Sequence, residues 1–128
     1  MTTRARSGSP YEPAYGFCRA VRVGDRLEVA GTAPVPPPGE PLVTGAAAQM
    51  TRCAEIAVAA LAELADDWQV IRTRMYLVDP ADADAVGRAH AAAFGGDEPV
   101  ATMVVVAGLL DPDWRVELEV EAVVRLPA

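Results

Sequence analysis

Apolar and charged positions alternate along residues 114–125. Trp114, Val116, Leu118, Val120, Ala122 and Val124 are interleaved with Arg115, Glu117, Glu119, Glu121 and Arg125. A period of two sends successive side chains to opposite faces, so this stretch predicts a β-strand with one face on a core and one acidic face. Carboxylates spaced about 7 Å apart along that face repel unless a cation lies close or a proton is held. The same alternation over Trp68 to Val78 puts Arg72, Arg74 and Tyr76 on one face and Ile71, Thr73, Met75 and Leu77 on the other. Arg72 and Arg74 are the natural cross-strand partners of the glutamates, which is a structural account of the acidic face. The functional account instead puts Glu121, nearest the apolar end, at the wall of a site.

Phe17 to Val23 and Arg26 to Ala30 read as a hairpin about the two-residue turn Gly24-Asp25. Residues 1–16, with Pro10 and Pro13 around Tyr11, read as an irregular arm, and Val35-Pro36-Pro37-Pro38-Gly39 as a stiff loop. From Thr44, a capping residue, to about Leu64 the apolar spacing changes to that of a helix, with Met50, Cys53, Ala57, Ala60, Leu61 and Leu64 in one stripe. Asp79-Pro80 starts a second helix, which stops at Gly95-Gly96 and carries His90 one turn from both Val86 and Phe94. Val100 to Ala107 is almost wholly apolar and predicts a strand covered on both faces. A helix layer covers one face, so the other is expected to meet another subunit. The predicted order is β-β-α-β-α-β-β, an α+β fold in a single domain spanning residues 1–128.

Composition narrows the chemistry. The net charge is -7, and the cations are eleven scattered arginines with no lysine. Nucleic-acid binding rests on clustered basic side chains, so no nucleic acid is expected as a partner. Without lysine there is neither a Schiff base nor a P-loop amine. Serine occurs only at 7 and 9 and histidine only at 90, which argues against a Ser-His-Asp arrangement. A lone histidine also cannot build an ordinary zinc site, and no metal is expected. His90 is read either as a packed, hydrogen-bonded residue or as a site residue. Cys18 and Cys53 form no C-x-x-C pair. Cys53 lies in the helical stripe and is read as core, whereas Cys18 is flanked by Phe17 and Arg19, and a cation beside a thiol lowers its pKa. No stretch reaches the roughly 18 apolar residues of a membrane span. The start has no signal-like apolar run, so a cytoplasmic protein with no membrane partner is expected.

The ordered set Gly31, Pro34, Gly39, Val43, Gly45, Gln49, the strand ending in Asp79, and the closing Val116-Glu117-Leu118-Glu119-Val120-Glu121-Ala122 resembles the Rid family, also called the YjgF family. The resemblance covers residues from about 10 to 126. It implies a chorismate-mutase-like fold, with two helices packed on one face of a mixed sheet, assembled as a homotrimer with a small-molecule cleft between subunits. It also implies hydrolysis of reactive enamines and imines of amino acids to 2-keto acids and ammonia, without metal or cofactor.

The same resemblance marks individual positions. The family arginine that binds the substrate carboxylate falls at Ala101, so the bidentate clamp is missing. A tyrosine near the first strand corresponds to Phe17, and the cleft asparagine of the second helix corresponds to Gly87. Glu121 matches the strand-end glutamate, and Gly31 the glycine whose backbone lines the cleft. Thr32, Thr102 and Met103 complete the candidate lining, with the Thr102 hydroxyl available to a ligand oxygen. Arg19 is a candidate carboxylate clamp from another strand, and His90 a proton donor or replacement polar group. Two functions remain open. One is hydrolysis of an imine, enamine or related small metabolite by Glu121 and water. The other is a non-catalytic, ligand-binding or regulatory trimer.

Overall fold

A computed structural model describes residues 1–126. The elements in chain order are β1 (Thr2–Ala5), α1 (Tyr11–Tyr15), β2 (Ala20–Val23), β3 (Arg26–Thr32), α2 (Ala46–Leu64), β4 (Trp68–Leu77), a 3-10 turn (Pro80–Asp82), α3 (Ala83–Phe94), β5 (Val100–Val105) and β6 (Val116–Val124). One six-stranded sheet runs β1-β2-β3-β6-β4-β5. Every pairing is antiparallel except β4 with β5, which is parallel, so the sheet is mixed.

The two long helices pack on one face of this sheet. Met50, Cys53, Ala57 and Leu61 of α2 and Val86 and Phe94 of α3 are buried with Leu27, Met75, Leu77, Val116, Leu118 and Val120 of the strands. The alternation in β6 is the cause: its apolar residues face the helices, which leaves Glu117, Glu119 and Glu121 on the open face. Alanines at 54, 57 and 60 keep the α2 surface thin where it meets the sheet. The predicted hairpin turn forms with Val23 opposite Arg26 and Gly24 at φ 62°, a conformation that favours glycine.

Several expectations are corrected. Residues 1–16 are not an irregular arm: β1 extends the sheet beside β2, and α1 places Pro13 in its first turn, where a missing N–H leaves no hydrogen bond unmade. Helix α2 is capped by Gly45 at φ 93° with no side-chain cap, not by Thr44. Asp79 does start the second helical segment, its carboxylate accepting a hydrogen bond from the Ala81 N–H at 2.9 Å. A register shift between Val70 and Arg72 turns Ile71 outward and leaves Val70 in the core. In a single chain strand β5 is covered on its helix side only, which leaves open the expectation that another subunit meets the other face. It lies at the sheet edge, with Val100, Val104 and Val105 exposed and Met103 partly buried against the core.

Candidate active-site cleft

The end of β3 and the start of β6 meet around Gly31. Position 31 is glycine for a steric reason, because a Cβ there would collide with the Glu117 carboxylate. Burial pushes the Glu117 carboxyl above the usual carboxylate range; the Arg19 guanidinium pulls it back and Glu119 adds to the rise. A carboxylate held partly out of water against a backbone segment has the protonation flexibility that proton transfer needs.

Arg19 holds that backbone in place. It is 8 % exposed. Its Nη1 donates to the Gly31 carbonyl at 2.5 Å and to the Thr32 hydroxyl at 3.3 Å, while Nη2 donates to Glu12 at 3.4 Å. Nε is buried and has no hydrogen-bond partner among the described residues. Phe17 lies under the guanidinium, with the charge 5.5 Å from the ring centroid. Glu12, in α1, is 1 % exposed and also accepts from the Ser7 N–H at 3.1 Å and from the Ser7 hydroxyl. Arg19 is thus a buttress, with both terminal nitrogens given to protein acceptors and Nε buried, rather than a fork open to a substrate carboxylate. The Thr32 hydroxyl is committed as well, donating to the Ala30 carbonyl at 2.8 Å.

Glu121 occupies a different environment. On the open face it lies 3.2 Å from Arg72 Nε, 3.6 Å from Arg74 Nη1 and 3.6 Å from Arg26 Nη2. Arg74 also reaches Glu119 at 3.6 Å, and the Tyr76 hydroxyl donates to Glu119 at 2.6 Å. This is the cross-strand pairing expected from the alternation in both strands. Three guanidiniums within 4 Å make Glu121 the hub of an ion-pair network. Of the β6 glutamates, Glu117 is the one beside Gly31.

The remaining candidates gather elsewhere. Ala101 lies opposite Thr73 and Met103 opposite Met75, so both project from β5 toward α3. There Gly87 approaches the Met103 methyl, and His90 shares a 2.7 Å hydrogen bond with the Thr73 hydroxyl. The His90 ring also lies 5.4 Å from that of Phe94, and burial lowers its pKa, favouring the neutral imidazole. Thr102 projects to the opposite face, beside Arg74. Strand order separates β5 from β3 by β6 and β4, about 14 Å at the usual strand spacing. One chain therefore carries two groups of candidates rather than one assembled site: Phe17, Arg19, Gly31, Thr32 and Glu117 in one, and Gly87, His90, Ala101 and Met103 in the other.

Sequence reasoning missed Glu117, Glu12 and Ser7. The signal for Glu117 is the glycine that makes room for it across the strand pair; nearness to the apolar end pointed instead to Glu121, which the structure places among arginines. Glu12 sits between prolines and was hidden by their reading as loop. Among the described residues, no three His, Cys, Asp or Glu side chains converge as a metal site, and no helix is long and apolar enough to cross a membrane.

Comparison with known proteins fits this architecture. The profile of the family described as endoribonuclease L-PSP matches residues 8–124. An uncharacterised protein of Streptomyces coelicolor is 45% identical over 122 residues, 93% of this chain and 90% of its own length. A crystal structure of a YjgF/YER057c/UK114 family member from Mycobacterium tuberculosis is similar with a TM-score of 0.80 and 38% identity, covering 96% of this chain and 99% of that one. RidA from an Antarctic Psychrobacter shares the fold at a TM-score of 0.76 and 22% identity, with 94% of each chain covered. With a matched profile running from just before α1 through the last strand, this chain belongs to the YjgF/RidA family.

Proposed function

We propose that this chain hydrolyses an imine or enamine in a cleft completed by a second copy of itself, with Glu117 as the acid-base group. The observation that carries this reading is the Glu117 carboxyl, raised in pKa by burial and pressed against the Gly31 backbone. Ionised, Glu117 takes a proton from water as the oxygen adds to the C=N carbon, and passes it to the nitrogen. The carbinolamine then collapses: its hydroxyl proton moves by way of Glu117 to the amine nitrogen, the C–N bond breaks, and a carbonyl compound and ammonia leave. An enamine enters the same path after its carbon takes a proton, for which protonated Glu117 is the source. General acid-base catalysis of this kind contributes about 10²- to 10⁴-fold.

Two features support a cleft between copies. The candidates in one chain form separate groups, and β5 presents exposed apolar residues on an unpaired sheet edge beside the second group. A trimer in which β5 and α3 of one copy face Gly31 and Glu117 of the next joins the two. An endoribonuclease role fits poorly, because a net charge of -7 and an acidic open face repel a polyanion. A purely ligand-binding role is the second reading, favoured by Ala101, Phe17 and Gly87, which bring no charge, hydroxyl or amide to positions where the family resemblance implies them.

The deciding experiment follows hydrolysis of freshly generated imines, with and without a carboxylate, in competition with semicarbazide. The native chain is compared with Glu117→Gln, Glu121→Gln and Ala101→Arg. Loss of at least about a hundredfold in Glu117→Gln, against less than about threefold in Glu121→Gln, is the expected pattern. Acceleration of 2-iminopropionate only in Ala101→Arg would show an intact scaffold whose own substrate lacks that carboxylate. No acceleration of any imine would transfer the assignment to ligand binding. Light scattering that shows a monomer at micromolar concentration would remove the shared cleft.

A further inference from the structure

The cavity that contains Gly31 and Glu117 does not end at the carboxylate. It continues as a groove between α1, the proline loop and the flank of α2, the whole measuring ≈ 920 Å³ in a single chain. Apolar and aromatic side chains line the extension, among them Tyr15, Pro36, Pro38, Ile56 and Trp114. Tyr11 and Tyr15 stack at 5.6 Å between ring centroids, yet they are 52% and 71% exposed. Exposed stacked phenols at the wall of a groove offer a flat contact to a further ring at small entropic cost, since each has few torsions to fix.

The polar end of the cavity sets the other requirement. A substrate carboxylate placed beside Glu117 meets a like charge, and the buried guanidinium next to it is already spent on Glu12, Gly31 and Thr32. At the far end Arg52 is held by the Val35 carbonyl at 2.7 Å and lies 3.6 Å from Glu55. In a single chain an imine of a few carbons fills only a small part of the ≈ 920 Å³, and the groove past Tyr15 and Ile56 lies beyond the Gly31 end that a second copy would face.

Resting on the hydrolytic reading above, we infer that the substrate is an uncharged imine or enamine whose head lies at Glu117 and whose aromatic or bulky apolar substituent lies along the groove past Tyr15 and Trp114. Specificity then comes from the tail, and the carboxylate on which smaller imines of amino acids would be held is not required.

Stable amides serve as probes, because they copy the planar head without hydrolysing. The native chain is titrated with phenylacetamide, acetamide and phenylacetate, followed by calorimetry and by tryptophan fluorescence in a Trp68→Phe background, which leaves Trp114 as the reporter. Phenylacetamide is expected to bind about ten- to a hundredfold more tightly than acetamide, the usual return on burying a phenyl ring, and more tightly than phenylacetate. Tyr15→Ala, at an exposed position that does not threaten folding, should remove about tenfold of that preference and leave acetamide unchanged. Equal affinities for the two amides, tighter binding of phenylacetate, or a preference that persists in both Tyr15→Ala and Ile56→Asp would overturn the assignment. The two readings fail separately. A Glu117→Gln variant that hydrolyses phenylacetaldehyde imine at the native rate removes the catalytic role, while retained selectivity for phenylacetamide leaves the ligand class standing.

Discussion

The Glu117 carboxylate lies in the space that a side chain on Gly31 would occupy. The two residues are a matched pair across β3 and β6, and one cannot change without the other moving. Gly31→Ala must displace the carboxylate, because the obstructing atom is the free end of a flexible side chain rather than backbone. Gly31 has no positive φ to strain, so the cost to folding is small, about 1 kcal/mol or less. The cost to function is expected to be large: imine hydrolysis about tenfold or more below the native rate, approaching that of Glu117→Gln. Calorimetric melting and the hydrolysis assay, run on one preparation, separate the two effects. Native activity in Gly31→Ala would show that the carboxylate has no need of its present position.

Burial of Glu117 also makes a prediction about stability. Its carboxyl holds a proton more tightly in the folded chain than in the unfolded one, where the pKa is about 4.3. Its stabilising contribution is therefore complete below that pKa and is lost as pH rises through the raised folded value. Above that folded value the contribution is gone. Glu117→Gln should accordingly gain stability over the native chain at pH 7 relative to any difference at pH 4. Urea unfolding at the two pH values measures this, and a native chain favoured more at pH 7 would mean that Arg19 outweighs desolvation.

Much of the fold was legible because alternation and helical spacing report burial directly. Val116, Leu118, Val120 and Ala122 of β6 and Met50, Cys53, Ala57 and Leu61 of α2 were placed on the core side by period alone, and they are buried. Period fails where the backbone slips. The register shift beside Ile71 reverses that residue's face, and no side-chain pattern announces it. The first sixteen residues were misread because prolines suit the first turn of a helix as well as a loop. For the site, a row of identical glutamates carries no local distinction. What separates Glu117 from Glu121 is the neighbouring chain, glycine and a buried arginine on one side and three partly exposed guanidiniums on the other.

The ladder around Glu121 is accordingly expected to serve stability. Glu121→Gln leaves Arg26, Arg72 and Arg74 facing one another with less compensation, and should cost about 1 kcal/mol, the upper end for partly exposed pairs because one carboxylate serves several cations. High salt screens those repulsions, so the deficit should shrink at 1 M sodium chloride. In a double-mutant cycle, Arg72→Met with Glu121→Gln should show a coupling of about 0.5 to 1 kcal/mol. A coupling near zero, with catalysis lost in the single Glu121→Gln variant, would return that residue to the active site.

The two thiols should differ sharply in reactivity. Cys53 lies in the core between α2 and β6, its thiol directed to the Val116 carbonyl at 3.9 Å. Burial pushes its pKa up to about 12. At pH 8 the reactive thiolate is then about 10⁻⁴ of the population, before any loss of access is counted. Cys18 is partly exposed, with its thiol 3.4 Å from the Ala20 carbonyl. Ellman's reagent at pH 8 should therefore titrate one thiol per native chain promptly and the second only as the chain unfolds, with Cys18→Ser abolishing the prompt phase. Prompt reaction of both thiols would mean that α2 separates from the sheet readily, and that the floor of the cleft, whose β6 strand Cys53 packs against, is far less rigid than the packing of Met50, Leu61 and Leu118 implies.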